Sequence, residues 1–279
     1  MSLYGTILAA PPPPLLSHYT TRKGLFGILE SRCLWATNLH YLNDSAEFAY
    51  ALDLCRDTVF ALPYTRELAT PASALANRLD QRLHSIRGIN LFVASFSAHK
   101  DLLSQWRGYC PNGDGYSISF TPDQLRALCS LQPFTLVPCV YERRIQAQLI
   151  GELLEPLFTS PPLHTDEIDA SIDRFLATFV RLACHLKNPA FHEEDEWRLV
   201  SEPLSIDDPA IGFREGSSLV IPYYQLALAS PKLPLEFACM TIGPTAHHEL
   251  ALSGLSGLVR RHQVKYGYLG LAQVPFRSW

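Results

Sequence analysis

The sequence predicts an α+β fold, and three of its features lead to this prediction. Strand-like segments such as 91–96 and 116–120 are short and are bounded by turn residues. Helix-like segments lie between them without the regular alternation that a doubly wound parallel sheet requires. The chain has 279 residues, of which 47% are hydrophobic, so it can bury a substantial core.

The elements follow from hydrophobic periodicity and from turn residues. Helices are expected to follow Thr21, to span 46–61, 66–87, 121–130 and 246–264, and to fill 142–186 with a break at 160–162. A short helix is expected at 101–107, and a turn at 111–115. Strands are expected at 16–20, 33–37, 91–96, 116–120, 135–141, 196–200, 218–222, 237–242 and 274–276.

Residues 15–279 are expected to form a single domain, preceded by a flexible proline-rich segment at residues 1–14. Four consecutive prolines at 11–14 favour an extended spacer. The first residues lack the basic region of a signal peptide, and no apolar run approaches the roughly 20 residues of a spanning helix. The sequence therefore predicts a cytoplasmic protein with no membrane partner. Trp106 and Trp197 are expected to be largely buried in its core.

Charge and cysteine content narrow the possible classes of function. A net charge of −4 argues against non-specific binding to DNA, which usually needs a basic face. The seven cysteines are an odd number, and no two of them are spaced as in a zinc ribbon. We therefore expect reduced thiols, no disulfide and no bound metal.

Two candidate segments for a polar site lie in the first fifty residues. The first is 17–20, where His18 and Tyr19 lie in a short predicted strand. A histidine there can bind a ligand hydroxyl or phosphate, or it can be a core residue with its hydrogen bonds satisfied. The second runs from Asn43 to Glu47, and it either shapes a ligand loop or simply caps the helix that follows.

A third candidate segment lies at the end of a later predicted strand and just after it. Ser95 and Ser97 end a buried strand, and Trp106, Arg107 and Tyr109 come shortly after it. The two hydroxyls can bond a polar ligand, the guanidinium can bind phosphate, and the rings can stack, although a buried tryptophan and a paired arginine are the alternative.

The last segment contains the acids at 193–196 and Arg198. Its four consecutive carboxylates repel one another, so they should not all be buried. Strand alternation places Glu196 and Arg198 on one face of the predicted strand. The segment is either part of the site or a solvated acidic loop.

Taken together, the motifs HYT, NDxxE, SFS, SQWRGY and EWRL resemble those of a widespread bacterial family of unknown function. That family in turn resembles the ADP-ribosyltransferase superfamily, whose members bind NAD in a cleft between two small sheets. The resemblance implies mixed, mainly antiparallel sheets around a central cleft with flanking helices. It assigns the superfamily's site positions to His18 on the first strand, Ser95 and Ser97 on a later strand, and Glu196 at the start of a third.

The resemblance implies an NAD-consuming ADP-ribosyltransferase or NAD glycohydrolase, with NAD as substrate and a protein or nucleic acid as the unknown acceptor. Glu196 and His18 would be catalytic, while His18, Tyr19, Ser95, Ser97, Trp106, Arg107 and Tyr109 would bind NAD. Glu196 would stabilise the developing cation, so Glu196→Gln should lower turnover with little effect on stability. A nucleic-acid-directed enzyme with the same cleft and a non-catalytic nucleotide- or protein-binding module, as in bacterial defence or stress response, are the alternatives.

Overall fold

In the computed structural model, the fold is mixed α+β with a mostly antiparallel open sheet. The structure describes residues 2–42, 45–65, 70–84, 86, 89–110, 115–159, 164–216, 218–231 and 233–274. The mixture of helices and strands and the mostly antiparallel sheet confirm the prediction of an α+β, mainly antiparallel fold. Asn43 with Asp44, most of the predicted turn at 111–115 and the predicted helix break at 160–162 lie outside the described residues.

The described residues contain strands that pair into one ten-stranded sheet. They are β1 (Leu16–Thr21), β2 (Cys33–Asn38), β3 (Phe92–Ser97), β4 (Gly115–Phe120), β5 (Phe134–Pro138), β6 (Glu196–Ser201), β7 (Ile211–Glu215), β8 (Val220–Ala227), β9 (Glu236–Ile242) and β10 (Lys265–Leu271). The helices are α1 (Leu3–Leu8), α2 (Arg22–Ser31), α3 (Ser45–Ala61), α4 (Pro71–His84), α5 (Leu103–Tyr109), α6 (Pro122–Cys129), α7 (Arg143–Thr159), α8 (Thr165–Ala183) and α9 (His248–Arg261). A 3-10 helix, Pro189–Glu194, precedes β6.

The sheet divides into two arms at β3. One edge of β3 pairs with β6 along its length, from Val93 to Ser97. On the other edge, β2 pairs only at the start of β3, and β1 pairs only at Ser97. Strands β4, β9 and β10 continue the arm of β1, while β8 and β7 continue the arm of β2. Among the described strands, none pairs with the middle of this edge, and a cleft opens there between β1 and β2.

Alternation along the strands separates two apolar layers. Phe92, Ala94 and Phe96 face a layer completed by α2, α6 and α9, whereas Val93 faces the layer formed by α3, α4, α7 and α8. Trp106 is 0% exposed and Trp197 is 7% exposed, so the prediction that both indoles are buried is confirmed. The seven cysteines are free thiols.

Two strands were missed by the sequence analysis, and both carry glycine. Strand β10 contains Gly267, where a Cβ atom would lie 2.4 Å from the carbonyl oxygen of Ala238 in β9. Strand β7 contains Gly212, which faces the ring of Tyr223. Glycine is depleted in strands, so a propensity-based analysis does not find strands in which glycine permits a close approach. The predicted closing strand at 274–276 lies largely outside the described residues.

Helix α1 lies in the segment that was expected to be flexible. Its N-cap is Ser2, whose side chain accepts a hydrogen bond from the Gly5 amide. Tyr4 and Ile7 pack against the layer formed by α3, α4, α7 and α8. The Tyr4 hydroxyl lies 3.2 Å from Nε2 of His185. Within the described residues, no helix combines the length and the apolar character that a membrane crossing requires.

Candidate functional site

A cavity of about 390 Å³ lies where the sheet divides, and we call it the inner cavity. The residues that carry its chemistry are His18, Glu47, Ser95, Tyr109, Lys187, Glu194, Glu196, Arg198 and Arg214. Side chains at paired positions of neighbouring strands lie on the same face of a sheet. Ser95 pairs with Arg198, and Ser97 pairs with Glu196, so these β3 and β6 residues share the face that carries the cavity.

His18 occupies the gap between the two arms. Its Nδ1 lies 3.0 Å from the carbonyl oxygen of Ser95, which no strand pairs with on this edge of β3. Because a carbonyl only accepts, Nδ1 carries the proton and Nε2 can accept a hydrogen bond from a ligand. Burial lowers the pKa of the imidazole, and the hydrogen bond to Ser95 opposes this effect only in part. His18 is therefore neutral at pH 7.

Five charged side chains form a cluster on the floor of the cavity. They are Glu47 from α3, Lys187, Glu194, and Glu196 and Arg198 from β6; we call them the ion cluster. Arg198 donates to Glu196 at 2.8 Å and to Glu47 at 2.5 Å. Lys187 donates to Glu194 at 2.6 Å, contacts Glu196, and lies 3.3 Å from Glu47.

Three carboxylates face two cations in the ion cluster, which leaves one excess negative charge when all are ionised. Burial by itself would raise the pKa of Glu196, but Arg198 and Lys187 outweigh burial and lower it. The pKa of Glu194 is raised, because burial has a larger effect there than the contact with Lys187. The excess negative charge therefore belongs mainly to Glu194, which is the first of these two to take up a proton.

The backbone before β6 fixes the position of both glutamates. Asp195 has a φ of 41°, in the left-handed region that aspartate tolerates better than most residues. The Ser97 hydroxyl donates to the carbonyl of Glu194 at 2.7 Å, and the Ala98 amide donates to the carbonyl of Asp195 at 3.0 Å. The Tyr141 hydroxyl accepts from the Glu196 amide. Ser97 is thus a positioning residue, and it borders only a small annex of about 40 Å³.

Several predicted site residues lie elsewhere or are already engaged. Trp106 is fully buried, packs against Tyr19 at 4.7 Å and donates its Nε1 hydrogen to Asp101. It therefore has no free face on which a ligand ring could stack. Arg107 is exposed and does not line the inner cavity, because it lies on the solvent side of α5. The predicted diphosphate contact by Arg107 therefore does not fit this geometry.

Tyr19 and Tyr109 border the cavity in different ways. The Tyr19 hydroxyl donates to the carbonyl of His99 and accepts from the Leu102 amide, so only its ring is free to contact a ligand. Tyr109 is more exposed, and burial of its hydroxyl together with the charges of Glu196 and Glu194 raises its pKa to about 12. Tyr109 therefore stays protonated and can donate a hydrogen bond into the cavity.

Sequence reasoning missed three residues of this region, Trp35, Lys187 and Arg214, and it also missed the pairing of Glu47 with Arg198. Arg198 lies 151 residues from Glu47 in the chain, and no local pattern links them. The alternation of Glu196 and Arg198 on β6 was the available signal for an ion pair. Within the described part of the chain, no group of His, Cys, Asp and Glu side chains is arranged to hold a metal ion, and a metal-free site stays a prediction.

Residues 105–199 match a known family. Its description is "Protein of unknown function (DUF2971)", and the match covers less than half of the chain. It includes Tyr109 and the ion cluster apart from Glu47, whereas His18, Ser95 and Arg214 lie outside it. The comparison with curated proteins gives no match. The match thus supports the resemblance to a family of unknown function and assigns no activity.

The pKa of Glu194 leads to a prediction about stability. Its folded pKa lies above the ordinary value of 4.5, so its contribution to stability is complete below that pH and is lost as the pH rises. Glu194→Gln removes this dependence. Relative to the variant, the wild type should lose unfolding free energy as the pH rises from about 4.5 towards neutrality. Urea denaturation of both proteins between pH 4 and 7.5 measures this difference, and a difference that is constant or grows in favour of the wild type contradicts it.

Proposed function

We propose that the protein is an NAD-consuming enzyme, either an ADP-ribosyltransferase or an NAD glycohydrolase, with the inner cavity as its active site. One observation carries the proposal: His18, Ser95 and Glu196, which come from three strands, border one cavity beside an ion cluster with an excess negative charge. These are the positions to which the resemblance assigns the site residues of the superfamily. The cleft between β1 and β2 supports the proposal, because the resemblance implies a central cleft.

The reaction breaks the bond between the nicotinamide nitrogen and C1′ of the ribose. The bonding electron pair leaves with nicotinamide, and positive charge develops on the ribose, as in glycoside hydrolysis. Hydrogen bonds position the side chains of the ion cluster, and its excess negative charge favours this cation over the neutral ribose. An acceptor, either water or a nucleophile of another molecule, then bonds to C1′ and releases a proton.

The roles of the two glutamates differ because their surroundings differ. Both oxygens of Glu196 are engaged by Arg198 and Lys187, so Glu196 acts through its fixed charge. Only one oxygen of Glu194 has a hydrogen-bond partner among the described residues. With its raised pKa, Glu194 is suited to accept the proton of the acceptor. His18, which is neutral, orients a ribose hydroxyl or the carboxamide through Nε2.

The test is incubation of the purified protein with NAD that carries separate labels on nicotinamide and on adenine. Release of nicotinamide with free ADP-ribose identifies a glycohydrolase, and retention of the adenine label on an added protein or nucleic acid identifies a transferase. The control variant Arg107→Gln should release nicotinamide at the same rate as the wild type, because Arg107 lies outside the cavity. Absence of nicotinamide release from the wild type, with each acceptor class present, contradicts the proposal.

The second candidate is a module that binds a nucleotide without cleaving it. The observation that favours it is the engagement of Glu196, whose charge is already shared between Arg198 and Lys187. Such a module binds NAD in the same cavity and leaves the nicotinamide bond intact. Saturable binding of NAD without release of nicotinamide therefore distinguishes the module from the enzyme.

A further inference from the structure

A second cavity of about 740 Å³ shares part of its lining with the inner cavity, and we call it the outer cavity. It is bordered by the end of β1, by α2 and by β2. Four residues line both cavities: His18, Trp35, Thr37 and Arg214. The two cavities therefore adjoin along these side chains, and a ligand that fills the inner cavity can extend past them into the outer one.

Arg214 is the cation at this boundary. It lies on β7, and register places it on the same face as Tyr223 of β8 and Thr37 of β2. Its Nε atom is buried and has no hydrogen-bond partner among the described residues, and Nη2 lies 3.5 Å from the Thr37 hydroxyl. A buried guanidinium N–H without a partner is unfavourable. The planar fork of arginine is suited to two oxygens of a phosphate or carboxylate, and Arg214 lines both cavities, where such an anion can bind.

Trp35 supplies a flat apolar surface beside Arg214. Its side chain is 48% exposed, although large aromatic residues are usually buried. One face of the indole stacks on Tyr223, with ring centroids 4.3 Å apart. Gly212 makes room for this arrangement, because a Cβ atom there would lie 2.8 Å from the Tyr223 ring. The pair is thus held in place from one side, and Trp35 still borders both cavities.

We propose that Arg214 and Trp35 form a binding subsite for a phosphorylated nucleoside, with Arg214 on the phosphate and Trp35 stacked on the base. Bases stack on exposed aromatic rings with little dependence on their identity. Glu30 and Glu215 offset Lys23 in the outer cavity, so the phosphate belongs at the Arg214 boundary. The proposal deepens the proposed function and rests on it for the identity of the whole ligand, because the remainder of NAD would fill the inner cavity.

The experiment is a calorimetric titration of ADP into the wild type and into Arg214→Gln, Trp35→Ala and the control Arg107→Gln. Loss of a charge-assisted contact should weaken ADP binding at least about tenfold in Arg214→Gln. Adenosine, which has no phosphate, should bind the wild type and Arg214→Gln equally. Trp35→Ala should weaken both ligands, and Arg107→Gln should weaken neither.

Additional measurements keep the outcome decisive. If Arg214→Gln melts below the titration temperature, Arg214→Lys is titrated in its place. Lysine retains the charge but lacks the planar fork, so the loss of affinity for ADP should be smaller than that expected for Arg214→Gln. The subsite is overturned when the wild type does not bind ADP, when Arg214→Gln and Trp35→Ala bind it like the wild type, or when pyrophosphate binds as tightly as ADP. ADP binding that depends on both residues, without cleavage of NAD, contradicts the proposed function and supports the subsite. NAD cleavage with ADP titrations unchanged by the variants contradicts the subsite alone.

Discussion

Replacement of Arg198 by methionine is expected to lower the free energy of unfolding by about 3–5 kcal/mol. Arg198 is 2% exposed and bonds Glu196, Glu47 and the carbonyl of Cys184. Its removal leaves the buried carboxylates of Glu47 and Glu196 and the partly buried carboxylate of Glu194 with Lys187 as the remaining cation of the ion cluster, and an uncompensated buried charge is costly. Chemical denaturation of the wild type and the variant at pH 7 measures the loss.

The matched control for this prediction is Arg107→Met, in which the same substitution is made at an exposed arginine. It should alter stability by no more than about 0.5 kcal/mol. Adding Glu47→Gln to Arg198→Met removes one of the orphaned carboxylates and should recover part of the loss, which a double-mutant cycle quantifies. A loss below about 1 kcal/mol in Arg198→Met would show that the ion cluster is not held together as its geometry indicates.

Replacement of Glu196 by glutamine should lower the turnover of NAD by about two orders of magnitude or more, the scale seen when a preorganised electrostatic contact is lost. Glutamine keeps the shape of the side chain and removes the charge. The steady-state rate of nicotinamide release, measured well below the melting temperature, tests this. Glu193→Gln is the control, because Glu193 is exposed and lies outside the cavity. Turnover equal to the wild type in folded Glu196→Gln protein would remove Glu196 from the mechanism.

The structure changes one expectation for this variant. The sequence predicted that Glu196→Gln has little effect on stability, because the charge of Glu196 was expected to matter mainly where a cation develops during the reaction. Glu196 is instead 5% exposed and contacts both Arg198 and Lys187. The neutral amide accepts weaker hydrogen bonds from them and brings its own N–H donors towards cations. A loss of about 1–3 kcal/mol is therefore expected in addition to the effect on turnover.

The sequence predicted the elements that carry the site because their signals are local. Strand β3 is a continuous apolar run, and β6 alternates Glu196 and Arg198 on one face. Strands β7 and β10 gave no such signal, since glycine serves close approach in both. Helix α1 was missed for another reason, because its stability depends on packing of Tyr4 and Ile7 against distant residues.

Partners across the fold were harder to predict than the residues themselves. The sequence placed Trp106 and Arg107 together as ligand contacts because they are adjacent. In the short helix α5, however, adjacent residues point in different directions, so Trp106 enters the core and Arg107 faces solvent. Trp35 and Arg214 border the same cavities because β8 joins β2 to β7. Such a juxtaposition depends on strand order, which local patterns do not encode.

The most direct test of the central claim is a crystal structure of the protein with an NAD analogue whose nicotinamide–ribose bond resists cleavage. Our account predicts that the nicotinamide ribose lies in the inner cavity, within hydrogen-bond reach of Glu194 or His18, and that a phosphate contacts Arg214. Binding of the analogue outside the gap between β1 and β2, or a ribose remote from the ion cluster, would contradict the account.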